Sequence, residues 1–495
     1  MAWTKNRPSG PRTDSARAFA KMSVQLDIKV KFMKRVLVSL VFLLAGACCA
    51  AAQLSADVTA KIDQAAADAL KETGVPSASV AVVKDGKIAY LRSYGDAKLD
   101  PQVPADPKMR YSIGSISKQF TATALLMLQE EGKLSLDDKV GKYLPDLTRS
   151  NEVTIRELLS HTSGYQDYWP QDYVMPGMLK PVTARQIMDV WAKKPLDFEP
   201  GTKWQYSNTN YVIAGAIAEK VAGIPLWQFL GERIFKPLGM TSAYNTDQTR
   251  LPTVDPIGYY RFALGPLHPA PKEGAGWLFA AGEIAMTAED LAKWDISIID
   301  QKLLKPSSYA EFGRDTLLKN GVSTRYGLGV DVGMNRGMRA LSHSGEVSGF
   351  TAQNTVFPDD RAAIVVLTNQ DAADAGGAIT QAIVPLLITS NVAATPDNTQ
   401  QARKIFAGLQ QGTIDRSLFT DNANFYFSDV ALKDFASSLA SYGEPKSFDQ
   451  VSRGLRGGMT LRVYIAHFAN GKALRVWTFE LPDGKLEQFQ VAAAN

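Results

Sequence analysis

Two residues of the sequence have the types and the spacing that nucleophilic catalysis needs. Ser115 and Lys118 stand three positions apart in YSIGSISKQF, and no other serine in the chain has a lysine three residues further on. A serine hydroxyl attacks a carbonyl carbon only when a base takes its proton, and residues three apart share one face of a helix. A lysine buried there loses part of its preference for the charged form, as a base at neutral pH requires. The alternative is a helix-capping serine followed by a solvated lysine, because short motifs arise by chance.

Two further fragments could complete such a site. Tyr206 and Asn208 form the only Y-x-N of the chain. A tyrosine can relay a proton, and an asparagine amide can hold a substrate carbonyl or orient a lysine. His343 and Gly345 belong to LSHSGEVSGF, where the glycine allows close approach of a substrate and a nearby N–H can join that of Ser115 in an oxyanion hole. Taken singly, each fragment also fits an ordinary turn or polar loop.

The elements that must position these residues follow from the apolar pattern. Two β-rich runs meet at Asp85-Gly86, which is typical of a hairpin. Residues 115–299 have many apolar residues at helical spacing. Within them the run FTATALLML is apolar on nearly every face and predicts a buried central helix. Strand-like runs return at residues 324–333 and in GFTAQNTVF and AAIVVLTNQ. Strands on both sides of a helical segment predict an α+β fold with one sheet built from distant pieces of chain and a helical subdomain inserted.

A smaller domain follows at the carboxyl end. ARKIFAGLQQG reads as an amphipathic helix, and three strand-like runs are separated by Asn470-Gly471 and Asp483-Gly484, which predicts an antiparallel meander on a helix. We divide the chain into residues 1–52 as a leader with a signal peptide over 33–52, residues 53–390 as the main domain, residues 391–401 as a linker, and residues 402–495 as a small α+β domain.

The leader predicts export. The stretch MKRVLVSLVFLLAGACCAAAQ has a basic start, an apolar core and small residues at its end, so we expect a signal peptide cleaved after Ala52. Residues 1–32 do not suit the front of an export signal, so we expect Met33 to be the true start. The apolar run is short for a membrane span, and no stable span is expected. The predicted location is the periplasm or the extracellular space.

Charge and composition exclude several classes of function. The whole chain has a net charge of +4, but residues 1–52 carry nine of its 54 basic and two of its 50 acidic residues, so the remainder is at −3. Nucleic acid binding therefore loses its compositional support. Both cysteines lie in the leader, and none of the four histidines is spaced for a metal site with another. We expect no disulfide, no metal and no cofactor, and a small-molecule or peptide substrate as the partner.

In their order and spacing, S-x-x-K, Y-x-N and H-S-G resemble the motifs of penicillin-recognising serine hydrolases. Secondary phrases agree: ELLSHTSGY, EPGTKWQYSN, KPLGMTSA, AAGEIAMTAEDLAKW and YGLGV. The resemblance covers roughly residues 60 to 390 and is strongest to class C β-lactamases, D-alanyl-D-alanine carboxypeptidases, D-aminopeptidases and family VIII carboxylesterases. It implies a β-lactamase/transpeptidase-like fold, with an antiparallel sheet flanked by helices and the site beside an all-helical subdomain. The C-terminal segment is similar to cystatin-like or NTF2-like modules and implies a packing, dimerising or ligand-gathering role.

The resemblance also implies roles for individual residues. Ser115 would be the acylated nucleophile and Lys118 its base. Tyr206 would serve the leaving group as an acid and later activate the deacylating water. Asn208 would position the substrate and the lysine. No metal takes part in this scheme.

The third motif departs from the β-lactamase pattern. His343, Ser344 and Gly345 would lie on the strand that lines the cleft, and the backbone N–H of Glu346 would join that of Ser115 as an oxyanion donor. Class C β-lactamases have lysine where His343 stands, and an unperturbed histidine is mostly neutral above pH ~6.5. Efficient β-lactamase action is thereby disfavoured, as is an α/β-hydrolase, because no G-x-S-x-G is present.

The sequence therefore predicts an exported serine hydrolase that works through an acyl-enzyme on peptide, amide or ester substrates, of the D-amino-acid peptidase, carboxypeptidase or esterase type. Two alternatives remain open at this point. One is a β-lactamase, since the same acyl-transfer machinery serves lactams. The other is a non-catalytic protein that binds cell-wall peptides. Nothing in the composition predicts an oligomeric state.

Overall fold

The computed structural model describes residues 1–3, 54–171, 173–262, 265–388, 398–456, 459–481 and 483–493. The chain divides into two compact units, Met1–Gln53 and Leu54–Asn495. The predicted signal peptide, residues 33–52, lies outside the described residues, as do residues 391–397 of the predicted linker. The end of that linker is already helical, because a helix begins at Asn398.

The second unit contains runs of strands separated by runs of helices. The helices are α1 (Ala56–Thr73), α2 (Ser117–Glu130), α3 (Ile155–Leu159), α4 (Ala184–Trp191), α5 (Asn208–Ala222), α6 (Leu226–Leu230), α7 (Lys236–Leu238), α8 (Ala288–Ile299), α9 (Pro306–Phe312), α10 (Ala375–Leu387), α11 (Asn398–Gln410), α12 (Asp421–Tyr426) and α13 (Asp429–Leu439). The strands are β1 (Ser77–Lys84), β2 (Lys87–Leu99), β3 (Gln102–Pro104), β4 (Tyr111–Ser112), β5 (Tyr244–Asn245), β6 (Tyr259–Tyr260), β7 (His268–Pro269), β8 (Ile284–Met286), β9 (Asp331–Asn335), β10 (Met338–Val347), β11 (Phe350–Phe357), β12 (Ala362–Thr368), β13 (Ser447–Arg456), β14 (Met459–His467), β15 (Ala473–Glu480) and β16 (Leu486–Ala493).

The main sheet is assembled from both ends of its domain, as the sequence predicts. Its order is β3-β2-β1-β12-β11-β10-β9, and the pairs are antiparallel. β1 and β2 form the predicted hairpin, in which Asp85 and Gly86 both have positive φ, of 53° and 72°. That geometry belongs to the tight turns that join twisted strands. The predicted strand at residues 324–333 begins only at Asp331, because Arg325 takes a left-handed φ of 57° that breaks the extended run.

Helices cover both faces of this sheet. α1 and α10 pack on one face through an apolar cluster that includes Ile62, Val80 and Ile379. α8 packs on the other face against β1 and β12. α2 lies deeper in this second layer, and its residues from Ser117 to Leu128 are all buried, which confirms the predicted central helix. None of the helices in the described part of the chain is both long and apolar enough to cross a membrane.

The C-terminal segment forms a separate α+β layer. Its sheet has the order β13-β14-β15-β16, and the two predicted hairpins close at Gly471 and Gly484, with φ of 77° and 86°. The sequence predicts three strands here, and the structure adds β13 as a fourth. Its run SFDQVSRGLR was missed because glycine and charged residues interrupt the apolar alternation that marks a strand. The aromatic rings of Phe406 and Phe448 meet in its core.

Candidate active site

Ser115 lies at a corner where several elements meet. It occupies the 3₁₀ turn Gly114–Ile116, which leads directly into α2. Gly114 has a φ of 50°, and a Cβ at this glycine would lie 2.7 Å from the backbone nitrogen of Glu346. The first N–H groups of a helix have no acceptor within the helix and lie at the positive end of its dipole. This corner is therefore suited to a group on which negative charge develops.

The Lys118 amine is completely buried and lies among three oxygen atoms. Its Nζ is 2.8 Å from Ser115 Oγ, 2.9 Å from Asn208 Oδ1 and 2.9 Å from the carbonyl oxygen of Ala281. Burial disfavours the charged form and lowers the pKa of Lys118 to about 7. A substantial fraction of the amine is therefore neutral near physiological pH.

The neighbours of this amine decide where its lone pair points. A neutral amine has two N–H donors and one lone pair. The amide oxygen of Asn208 and the carbonyl oxygen of Ala281 can only accept, so they take the two N–H groups. The lone pair is then left for the Ser115 hydroxyl, which can donate its proton. Neutral Lys118 is thus oriented to remove the proton of Ser115.

Tyr206 lies over the same amine. Its ring centroid is 5.0 Å from Lys118 Nζ, and the imidazole of His161 packs against the Tyr206 ring, with the two ring centroids 4.3 Å apart. Burial raises the pKa of the Tyr206 hydroxyl, and a hydrogen bond with the Ser115 side chain acts in the opposite direction. The hydroxyl is therefore protonated at neutral pH and can act as a proton donor next to Ser115.

β10 brings the third predicted fragment to this corner. A Cβ on Gly345 would lie 1.9 Å from the carbonyl oxygen of Ile113 and 3.3 Å from the backbone nitrogen of Ser115. The strand therefore touches the turn before α2, and a side chain at Gly345 would push them apart. The backbone nitrogens of Ser115 and Glu346 lie on this junction, which is where an oxyanion would be held.

Replacement of Gly345 by alanine is expected to lower kcat/KM by about 10²-fold, because displacement of β10 moves one oxyanion donor away from the other. The melting temperature should also fall, since the added methyl group overpacks a close backbone contact. Gly333→Ala is the matched control: this glycine lies in the neighbouring β9, and a Cβ there would have nothing within 4 Å. Equal effects of the two substitutions on kcat/KM would contradict the assignment.

His343 is buried and neutral. Its Nδ1 lies 2.5 Å from the carbonyl oxygen of Ser344, and its Nε2 lies 2.8 Å from the hydroxyl of Tyr326. A carbonyl oxygen only accepts, so Nδ1 carries the proton and Nε2 accepts from Tyr326. Burial, followed by the charge of Lys118, lowers the pKa of His343 to about 4. A substrate carboxylate would therefore meet no positive charge at this position near neutral pH.

These groups open onto one cleft of about 550 Å³. The residues singled out from the sequence that line it are Ser115, Tyr206, Asn208, His343, Ser344 and Glu346. The carboxylates that line it are Asp167, Asp331, Glu346 and Asp371. No lysine or arginine among the described residues lines the cleft, and the Lys118 amine lies beneath its floor. The cleft is therefore acidic, which favours cationic or neutral ligands over anionic ones.

Three residues at the site were not predicted as functional. Asp167 accepts hydrogen bonds from the backbone and side chain of Asn208 at 2.9 and 3.3 Å. Tyr326 orients His343, as described above. His161 is fully buried, and its Nδ1 accepts the Ser207 N–H at 3.2 Å. The aromatic loop GYQDYW and the phrase TRYGLG contain Asp167 and Tyr326, but polar and aromatic residues in loops carry no distance information.

The described residues contain no group of three or more histidine, cysteine, aspartate or glutamate side chains placed to hold a metal ion.

Fold and site together define a class. An antiparallel sheet flanked by helices, with a serine and a buried lysine where the sheet meets a central helix, is the arrangement of serine hydrolases with the β-lactamase/transpeptidase fold. The sequence model of the Beta-lactamase family matches residues 62–384, and the chain belongs to that family. The family resemblance inferred from the motifs is thereby confirmed.

Known relatives agree with this assignment. The chain is 31% identical over 300 residues to a D-aminopeptidase of Cereibacter sphaeroides, a match that covers 60% of this chain and only 57% of that enzyme's length. It is 29% identical over 312 residues to penicillin-binding protein 4* of Bacillus subtilis, covering 59% and 68% of the two chains. Among solved structures, a D-stereospecific amidohydrolase from Streptomyces sp. superposes with a TM-score of 0.57 at 29% identity, covering 66% of this chain and 98% of that one.

Proposed function

We propose that this serine hydrolase works through an acyl-enzyme in which Ser115 is the nucleophile, Lys118 its general base and Tyr206 the proton donor to the leaving group. The observation that carries the proposal is the contact of 2.8 Å between Lys118 Nζ and Ser115 Oγ, made by an amine that is fully buried and has two further acceptors. Nucleophile and base are within hydrogen-bond reach, and a third group orients the base.

In the proposed reaction Ser115 Oγ bonds to the substrate carbonyl carbon while its proton passes to Lys118. The oxyanion is held by the backbone N–H groups of Ser115 and Glu346. The bond to the leaving nitrogen or oxygen then breaks, the leaving group takes the proton of the Tyr206 hydroxyl, and Tyr206 recovers a proton from Lys118. Deacylation repeats these steps in reverse with water as the nucleophile. The water oxygen bonds to the acyl carbon while its proton passes to the Tyr206–Lys118 pair. The bond between the acyl carbon and Ser115 Oγ then breaks, and the pair returns a proton to Ser115.

The acidic cleft supports a choice among substrates. Neutral His343 provides no positive charge for a terminal carboxylate, and the carboxylates of Asp167, Asp331 and Asp371 would repel one. We therefore infer an amidase or aminopeptidase type of activity on D-amino-acid amides and peptides with a free amino group, and on small esters. The names of the D-aminopeptidase and D-stereospecific amidohydrolase relatives point the same way. Carboxypeptidase and β-lactamase action are disfavoured, because their substrates carry the carboxylate.

The test compares kcat/KM for three chromogenic substrates: D-alanine p-nitroanilide, p-nitrophenyl butyrate and a cephalosporin. We expect the anilide and the ester to exceed the cephalosporin by at least about 100-fold, the scale of one lost buried charge contact. His343→Lys, which introduces the cation that class C β-lactamases have at this position, should raise kcat/KM for the cephalosporin relative to that for the anilide. A wild-type cephalosporin rate equal to the others would overturn the substrate assignment, and hydrolysis of none would favour a non-catalytic binding protein.

We also propose that the protein is exported, on the support of the signal-like pattern at residues 33–52. Amino-terminal sequencing of the protein recovered from the periplasm or medium of an expressing bacterium should begin at Gln53. A protein that stays in the cytoplasm with residues 33–52 attached would contradict export.

A further inference from the structure

The Asp167 carboxylate lies directly behind Asn208. Its Oδ1 accepts the backbone N–H of Asn208 at 2.9 Å and that of Trp169 at 3.2 Å, and its Oδ2 accepts from Asn208 Nδ2 at 3.3 Å. Three N–H groups that point at one carboxyl group favour its ionised form and oppose the effect of its burial, which raises the pKa of Asp167. The carboxylate therefore contacts both the start of α5 and the side-chain amide that α5 presents.

This contact decides which end of the Asn208 amide faces Lys118. Because Asp167 only accepts, it binds the Nδ2 end, and Asn208 Oδ1 is left to accept from Lys118 Nζ at 2.9 Å. The reversed amide would place its N–H groups against the amine and its oxygen against a carboxylate. The lone pair of Lys118 would then lose the arrangement that directs it at Ser115.

Asp167 also brings charge to the site. The other titratable groups that face Lys118 are neutral near pH 7: His161 and His343 have lowered pKa values, Tyr206 and Tyr211 have raised ones. Burial lowers the pKa of Lys118, and the negative charge of Asp167 opposes this shift. The carboxylate thus acts on the amine through space as well as through Asn208.

We propose that Asp167 is a positioning residue that fixes the orientation of the Asn208 amide and places a compensating negative charge behind the Lys118 amine. The inference rests on the proposed role of Lys118 as the base. In this role Asp167, a loop residue of the cleft, helps to prepare the nucleophile and does not need to touch the substrate.

The first test measures the amine itself, independently of turnover. Lysine labelled with ¹³C at Cε reports the titration of Lys118 by NMR, and the signal is assigned by its loss in Lys118→Met. In Asp167→Asn we expect the titration midpoint of Lys118 to fall by about one pH unit, since a nearby negative charge is removed. In Asp371→Asn, which changes another carboxylate of the same cleft, the midpoint should stay at its wild-type position.

The second test is a double-mutant cycle on kcat. Asp167→Ala and Asn208→Ala should each lower kcat by about 10-fold or more, and the loss in the double variant should be clearly smaller than the product of the two single losses, because part of the effect of Asp167 passes through Asn208. An unmoved titration midpoint in Asp167→Asn together with additive kcat losses would overturn the proposal. Failure of Ser115→Ala to abolish turnover would instead count against the proposed function, and the NMR titration would still decide the role of Asp167.

Discussion

Replacement of Ser115 by alanine is expected to abolish covalent labelling by a fluorescent fluorophosphonate and to lower kcat on D-alanine p-nitroanilide by roughly 10⁴-fold or more, because the acyl-enzyme can no longer form. The fold should be unaffected, since the change removes one hydroxyl from a partly exposed turn. In-gel fluorescence after incubation with the probe measures the first effect, and initial rates measure the second.

Ser348→Ala is the matched control for this experiment. Ser348 lines the same cleft, and its hydroxyl donates to the carbonyl oxygen of Pro271 instead of facing a base. We expect its labelling to match that of the wild type. Equal labelling of Ser115→Ala and the wild type would remove Ser115 from the mechanism and point to a different nucleophile.

Loss of the Lys118 amine should have the second-largest effect. Lys118→Met keeps the length of the side chain and deletes the base, so kcat should fall by about 10²–10⁴-fold, the range of general base catalysis. In the wild type, kcat/KM should fall about tenfold per pH unit below about pH 7, because only the neutral amine accepts a proton and its pKa is lowered to about 7. This acid limb should disappear in Lys118→Met, and pH–rate profiles from pH 5 to 9 would show it.

Lys142→Met controls for the loss of a lysine as such. Lys142 is exposed and forms a surface ion pair with Asp138 at 2.8 Å, so its replacement should leave the pH–rate profile unchanged. Circular dichroism would verify that both variants are folded. An acid limb that persists in Lys118→Met would show that another group titrates, and the assignment of the base would be wrong.

The part of the site that depends on local geometry could be predicted from the sequence. A spacing of three residues places Ser115 and Lys118 on one face of a helix, and the apolar run beyond them predicted that this helix is buried. The hairpin at Asp85-Gly86 was equally local. Tyr206 and His343 could be singled out only as candidates by their residue types, and family resemblance joined them to Ser115, because no rule of spacing places residues about ninety or more positions away beside it.

What the sequence could not predict depends on contacts between distant segments. Lys118 meets the carbonyl of Ala281, 163 residues away, and this contact helps to aim its lone pair. The neutral state of His343 follows from burial and from the Tyr326 hydroxyl, neither of which a motif records. The role of Asp167 follows from its contact with Asn208, which exists only in the folded protein. These features depend on how distant segments pack, so they can be read only from the tertiary structure.

The way the main sheet is assembled has a consequence for biogenesis. The central strand β1 pairs with β12, and the backbone N–H of Ser77 bonds to the Asn369 side chain 292 residues further along. Such distant pairing makes folding slow, and a chain synthesised from its amino end has no partner for that edge until residues 362–368 emerge. The main sheet would thus stay incomplete through most of translation, and a chain that has not completed its fold can be threaded through a secretion channel, as the export proposed above would require. A truncation before Ala362 should yield an insoluble fragment.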